Sequence, residues 1–359
     1  MEDTFYARNK ISDLAGVLRK MSELYEEGEA GAFGVQFGDI AEVLEHNSIQ
    51  AENLPVSEKK FVNIMKKNNV FVEAFCVKRR NNGVCELCMR ARSFRKGSVK
   101  VVTVSRVLSE LFGRDICATP GNRSVITTYP VELVFADAPD YFTLFGMASL
   151  SGMNNSVSGD NFSYLENVDG KAYLTLADGM GMGVPANNQS RRVIELFEQY
   201  IQAGVSAETA LRSINTAYSF REKDELVAMD CIEMDLYSGY IRLLKQGGTS
   251  SFVKTREIVT QIVPSSLPLG MLYQAKPDIS SANAGDGEYI ILLSDGVIDA
   301  LPFFDKEKEM MKIINDISAM NPNMLAKKIM EETLFFTDGE KRDDMTVLVM
   351  GIWRCEKKY

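Results

Sequence analysis

The sequence predicts an α+β protein in which strands and helices come in blocks. Three observations carry this. After residue 140 the hydrophobic pattern runs through strands, two helices, strands, a helical stretch and a final strand. Blocked elements favour sheets that stack face to face with helices outside them, over an alternating α/β wind. Short continuous apolar runs, Ala172-Tyr-Leu-Thr-Leu-Ala177 and Tyr289-Ile-Ile-Leu-Leu293, have the length of buried strands. Other segments repeat apolar residues at helical spacing, as in Val193, Leu196, Phe197, Tyr200 and Ile201.

The elements follow in order. Ile11, Leu14, Ala15, Leu18, Met21 and Tyr25 predict a first helix, with Ser12 as a cap. The Gly- and Glu-rich stretch from Glu26 to Gly34 reads as a linker. Helices are predicted over about 39–47 and 57–67. The runs Val70–Val77 and Val84–Met89, joined through Asn82-Gly83, predict a hairpin. Val99–Val102 leads into a helix ending near Phe112-Gly113, and strands are predicted at 131–135 and 141–147. Two helices are predicted at 187–203 and 206–220, and strands at 227–235 and 240–244. Strand-like pieces follow over 258–293, then one helical stretch over 305–333 and a last strand over 346–352.

Composition narrows the function. The chain has 359 residues and a net charge of −9, which argues against a broad nucleic-acid footprint. The one basic stretch, Lys78 to Lys96, reads as a solvated hairpin surface. No apolar run approaches a membrane span, and the N-terminus lacks signal-peptide character, so a cytoplasmic protein is expected. Six cysteines in a chain of this length do not suggest a disulfide framework. Cys85-Glu-Leu-Cys88 has CxxC spacing without a second pair, and reads as strand cysteines. The single histidine, His46, lies far from every acidic motif, which excludes a histidine triad and disfavours imidazole zinc sites.

Four aspartates sit at the ends of apolar runs: Asp160 in Val157-Ser-Gly-Asp160, Asp178 in Leu176-Ala-Asp-Gly-Met-Gly181, Asp295 in Leu292-Leu-Ser-Asp-Gly296, and Asp343 in Arg342-Asp-Asp-Met-Thr346. Asp-Gly taken singly is a turn, because glycine accepts positive φ and aspartate bonds its own backbone. Asp169-Gly170 and Asp286-Gly287 read as such turns. Asp178 and Asp295 differ, since each follows a continuous apolar strand. Carboxylates so placed suit hard divalent cations, which prefer oxygen ligands. No window fits an EF-hand, and Gly179-Met-Gly-Met-Gly183 lacks the Lys-Ser/Thr of a phosphate loop; Gly179, Gly181 and Gly183 read instead as a flexible turn after Asp178.

These motifs, in this order, resemble the metal-dependent protein phosphatases of the type 2C-like (PPM) family. The branch most resembled is that of stage II sporulation protein E, through Ser158-Gly-Asp160, Asp178-Gly-Met-Gly-Met-Gly183, Gly248-Thr-Ser-Ser-Phe252, Leu267-Pro-Leu-Gly270 and Asp343-Asp-Met-Thr-Val347. The resemblance covers about 140–353. It implies a β-sandwich of two antiparallel sheets flanked by helices, preceded by a smaller α/β regulatory segment. The expected divisions are 1–35 (helix and linker), 36–139 (regulatory segment) and 140–355 (phosphatase domain).

The resemblance also implies two Mn²⁺ or Mg²⁺ ions at one end of the sandwich and hydrolysis of phosphoserine or phosphothreonine by a metal-held water. On that basis Asp178 bridges the ions, Asp160 and the Gly179 carbonyl serve one, and Asp295 and Asp343 serve the other. Asp178 and Asp160 hold the reacting water, with no side-chain nucleophile. Asp344 is a second choice beside Asp343. The Arg that grips phosphate in many eukaryotic members has no counterpart close before Asp160.

The implied substrate is a phosphorylated regulator of the anti-sigma-factor-antagonist type, in sporulation and sigma-factor control. The helices at 187–220 are the implied switch, biased by the first 140 residues, and a homodimer is the implied assembly. Because the branch's namesake carries membrane spans upstream, the chain reads as its soluble part or a soluble relative. The alternative function is a catalytically weak scaffold that binds a phosphoprotein; four intact acidic positions argue against it.

Overall fold

A computed structural model describes residues 50–356, apart from 80–82, 96, 153–156, 220–225, 274, 319–320 and 338–342, together with residues 16–20, 38, 40 and 41. The linker reading at 26–34, His46 and most of the first two predicted helices lie outside the described residues. Two compact units emerge, one built on Leu44–Pro139 and the other on Asp140–Cys355.

In the first unit the elements are β1 (Gln50–Glu52), α1 (Glu58–Lys67), β2 (Val70–Arg79), β3 (Cys85–Ser93), β4 (Val99–Lys100), α2 (Val101–Phe112), β5 (Ile116–Ala118), β6 (Val125–Ile126) and β7 (Val131–Asp137). Five of these strands form one antiparallel sheet in the order β1-β2-β3-β7-β5. Phe61 and Met65 of α1 and Val104 and Leu108 of α2 pack with Leu87, Met89, Leu133 and Phe135 of the sheet. The basic hairpin carries its charge outward, with Arg90 and Arg92 both paired to Glu73.

The second unit contains β8 (Tyr141–Leu150), β9 (Asp160–Val168), β10 (Lys171–Gly179), α3 (Gly183–Gln202), α4 (Ala207–Tyr218), β11 (Val227–Asp235), β12 (Tyr240–Gln246), β13 (Ser251–Lys254), β14 (Val259–Ile262), β15 (Asp278–Asn283), β16 (Glu288–Leu293), α5 (Asp295–Asp299), α6 (Lys306–Asp316), α7 (Pro322–Phe335) and β17 (Met345–Arg354). Its two five-stranded antiparallel sheets have the orders β15-β12-β11-β10-β9 and β14-β13-β16-β17-β8.

Strand side chains alternate between faces, and three apolar layers result. Leu174, Leu176, Ile232 and Leu243 of the first sheet meet Ile290, Leu292, Leu348 and Met350 of the second in a central core. The opposite face of the first sheet, through Tyr173, Ala177 and Cys231, packs on α3 and α4. That of the second, through Ile291, Leu293, Val347 and Val349, packs on α5, α6 and α7. This is the sandwich flanked by helices that the motifs led us to expect.

Three local readings change. The single helical stretch predicted over 305–333 is two helices. Asn321 caps the second, accepting from the Met324 amide at 2.9 Å, and Pro322 occupies its first turn. Proline disfavours helix in the residue before it, so the chain must restart there. The helix predicted from 187 begins at Gly183. Gly179 is the last residue of β10, without positive φ, and is not part of a loose glycine turn. Asp169-Gly170 is the two-residue hairpin loop expected, with positive φ at both residues.

Candidate metal-dependent active site

At one end of the sandwich the inner faces turn from apolar to acidic. Asp178 lies on the same face of β10 as Leu174 and Leu176, and in the ladder it stands directly opposite Asp160, the first residue of β9. Asp295 opens α5, straight after Leu293 and Ser294. Asp343 and Asp344 lead into β17, the ladder partner of β16.

The electrostatics of Asp178, Asp160 and Asp295 follow from this packing. Burial pushes the Asp178 carboxyl up to about 9, and the charges of Asp160, Asp295, Asp343 and Asp344 add to the rise. Asp160 goes up to about 7, first through burial and then through Asp344 and Asp295, while the Thr346 and Ser294 hydroxyls favour its charged form. Its Oδ2 is buried without a hydrogen-bond partner. Asp295 is raised by burial and by Asp343, and the Gly296 amide and the Asp178 carboxyl offset part of that rise. Asp295 stays open to solvent at the mouth.

Asp344 does a different job from Asp343. Its Oδ1 accepts from the Gly152 amide at 2.8 Å and its Oδ2 from the Gly159 amide at 2.6 Å. It is 6% exposed, and both its oxygens face backbone donors. Asp343 is exposed, and its Oδ1 accepts from the Asp344 amide at 2.8 Å.

The backbone before Asp160 is held on its other side by α3. The Asn187 amide group donates to the Ser158 carbonyl at 2.7 Å, and the Ser190 hydroxyl donates to the Gly159 carbonyl. Two glycines allow the close approaches this needs. A Cβ on Gly179 would lie 2.2 Å from the Ala186 carbonyl oxygen, and one on Gly296 would lie 2.2 Å from that of Asp344.

A cleft of about 240 Å³ opens beside the aspartates, lined among others by Asp178, Asp295, Ser294, Gly248, Thr249 and Pro268. It reveals a residue that sequence reasoning passed over, Asp230. This side chain is 3% exposed and paired with Lys245, itself 1% exposed, and Lys245 also donates to Ser251 at 2.8 Å. The Asp230 Oδ1 has no hydrogen-bond partner. The signal was an acid and a base within strand-like runs, at residues 230 and 245.

The donor set fits hard divalent cations. Every candidate group is an oxygen, one buried carboxylate oxygen is unpartnered, and neighbouring carboxylates repel one another. Among the described residues no three of them converge at coordination distance.

The sequence profile of the stage II sporulation protein E family matches residues 168–353. The chain belongs to that family. Stage II sporulation protein E of Priestia megaterium is 29% identical over 261 residues, covering 71% of this chain and 44% of its own length. The Bacillus subtilis protein is 28% identical over 251 residues, covering 69% and 30%. The chain thus spans less than half the length of these relatives.

Among solved structures, the PP2C phosphatase domain with a regulatory-domain fragment of B. subtilis SpoIIE superposes with a TM-score of 0.63 at 22% identity. It covers 83% of this chain and 87% of that one. The SpoIIE phosphatase domain from a crystal form without domain swapping gives a TM-score of 0.51 at 26% identity, covering 62% and 97%. The Asp140–Cys355 unit is therefore a PP2C-type phosphatase fold of the SpoIIE family. Among the described residues no helix is long and apolar enough to cross a membrane.

Proposed function

We propose that the chain is a Mn²⁺- or Mg²⁺-dependent phosphoserine/phosphothreonine protein phosphatase that uses two ions. The observation that carries this reading is the pairing of Asp178 with Asp160 across the ladder at the edge of a cleft that Asp178 and Asp295 line, with all three carboxyls raised by burial and by acidic neighbours. Carboxylates crowded at this cost to stability mark a site built for cations.

In this reading Asp178 would serve both ions, Asp160 and the Gly179 carbonyl would hold one, and Asp295 and Asp343 would hold the other. Bound there, divalent cations supply Lewis acidity to a phosphoryl group and to an attacking water. Asp178 and Asp160 orient that water. The apolar face under them, Leu174 and Leu176, excludes bulk solvent from one side. Asp344 fixes the backbone ahead of Asp160 through the Gly159 amide and leaves Asp343 as the ligand of that pair. The cleft past Thr249 and Pro268 receives the phosphorylated segment.

The substrate we assign is a phosphorylated regulatory protein of the anti-sigma-factor-antagonist type, in keeping with the sporulation family. Helix α3 is the element through which regulation acts, because Asn187 and Ser190 bond the backbone on both sides of Gly159. A chain beginning at residue 140 is then expected to differ from the full chain in metal affinity or turnover. A homodimer, formed in the cytoplasm, is the assembly this reading carries.

The test is hydrolysis of a generic phosphate ester and of a phosphoserine protein, with and without Mn²⁺, for the wild type and for Asp178→Asn and Asp295→Asn. Activity that survives both substitutions, or that ignores chelator, ends this reading.

A further inference from the structure

The CxxC spacing of Cys85 and Cys88 is a decoy, and the fold supplies a different thiol pair. Cys85 and Cys88 are three residues apart on β3, so they face opposite sides of the sheet. Cys85 is buried in the core. Cys88 instead stands directly opposite Cys76 of the neighbouring strand β2, in register. Directly opposed residues of an antiparallel pair share a face, with Cα atoms about 4.5–5.5 Å apart in either kind of register pair. Disulfides span about 4.4–6.8 Å between Cα atoms. The register therefore places the pair within the span of a disulfide.

The surroundings distinguish the two thiols. Cys76 is exposed, and Cys88 is half-buried. The Cys88 thiol donates to Glu86 Oε1 at 3.3 Å. Burial, that hydrogen bond and the Glu86 charge push it up to about 12, against the pull of Lys78. Cys76 is thus the thiol an oxidant meets first, and Cys88 is the one held in place behind it.

We infer that Cys76 and Cys88 form a reversible oxidation site, closed to a cross-strand disulfide by a peroxide or a low-molecular-weight disulfide. With hydrogen peroxide, the Cys76 sulfur attacks one peroxide oxygen. The O–O bond breaks, a first water leaves, and Cys76 becomes a sulfenic acid. The Cys88 sulfur then attacks the Cys76 sulfur, the S–O bond breaks, and a second water carries away the Cys88 proton. Two thiols lose two electrons to one peroxide, and a dithiol reductant reverses the change.

The experiment treats the full chain with hydrogen peroxide or oxidised glutathione, blocks free thiols by alkylation, and maps the peptides by mass spectrometry before and after dithiothreitol. The expected result is a linked pair of peptides holding Cys76 and Cys88, lighter by two hydrogen atoms and split by reductant. Cys85 and Cys231 should remain alkylatable only after denaturation. In Cys88→Ser, a sulfenic-acid trap should label Cys76; in the wild type that labelling should fall away as the disulfide forms. The inference is overturned if wild-type Cys76 ends as a stable mixed disulfide, a sulfenic acid or a link between two chains, with no Cys76–Cys88 bond. The decisive reading comes from the wild-type chain, so poor folding of a variant does not decide it.

Discussion

Asp160 and Asp178 are register partners in an antiparallel ladder, so two carboxylates stand directly opposite one another on the inner face of the sandwich. Like charges directly opposed destabilise a sheet. Replacing Asp178 by the isosteric Asn should therefore have opposite effects on folding and on chemistry. In chelator, Asp178→Asn is expected to raise unfolding free energy by about 1–3 kcal/mol. In Mn²⁺ it is expected to lower phosphate-ester turnover by more than about 100-fold. Thermal melts and a chromogenic phosphate assay on one preparation read both effects. A variant that is both less stable in chelator and fully active would contradict the placement of this residue.

The same pair sets a pH dependence. Folding raises Asp160 to about 7 and Asp178 to about 9. The unfolded chain gives up these protons from about pH 4 upward. Between about pH 4 and 9 the folded state holds more protons than the unfolded state, so without metal its stability falls as pH rises. Since the site is partly open to solvent, the loss across the window should stay near 1–3 kcal/mol, roughly. Saturating Mn²⁺ should flatten the slope, because the charged carboxylates then have partners. Melting temperature against pH, with and without Mn²⁺, checks this; a melting point that climbs through the window in chelator counts against it.

Asp344 ties two separate stretches of backbone to the start of β17. Asp344→Ala leaves the Gly152 and Gly159 amides without their acceptor, a loss of about 2–4 kcal/mol. Because Gly159 precedes Asp160, Mn²⁺ affinity should weaken as well. Urea denaturation and Mn²⁺ titration of activity measure the two. Unchanged stability would mean that water replaces the carboxylate at no cost.

Gly179→Ala tests the packing of β10 against α3. The added methyl would sit 2.2 Å from the Ala186 carbonyl oxygen, and the contact is backbone, so the helix must move. The expected outcome is a loss of about 1–3 kcal/mol together with reduced activity. Asn187→Ala, which removes only the bond to the Ser158 carbonyl, should cost less stability yet still weaken metal binding.

The buried pair beside the cleft gives a further prediction. Lys245→Met strands Asp230 without its cation and is expected to cost about 3–5 kcal/mol. Adding Asp230→Leu should recover most of that loss, since an apolar pair of similar volume leaves no charge behind. Chemical denaturation of both variants decides it; equal losses in the single and double variants would show that the pair contributes nothing by its charge.

Much of this was legible in the chain. Ala172–Ala177 and Tyr289–Leu293 read as strands because both of their faces are buried, one on the central core and one on helices. The turn at Asp169-Gly170 was legible because its chemistry is local. The helix break at Asn321-Pro322 was missed, although its signal was local too, because the apolar spacing runs on across it. Asp230 and Lys245 were passed over for another reason. Asp230 shares its strand with Glu233 and Asp235, and nothing marks it out until its partner Lys245, on the neighbouring strand, is known.

The sequence by itself determined the identities: which residues are acidic, which runs are apolar with what period, and in what order the motifs come. Those are properties of neighbours along the chain. Only the tertiary structure decided the pairings. It put Asp160 against Asp178, gave Asp344 to the Gly152 and Gly159 amides, and matched Cys88 with Cys76 in place of Cys85. Strand register fixes which side chains share a face, and a shift of one residue would turn each of them to the other side.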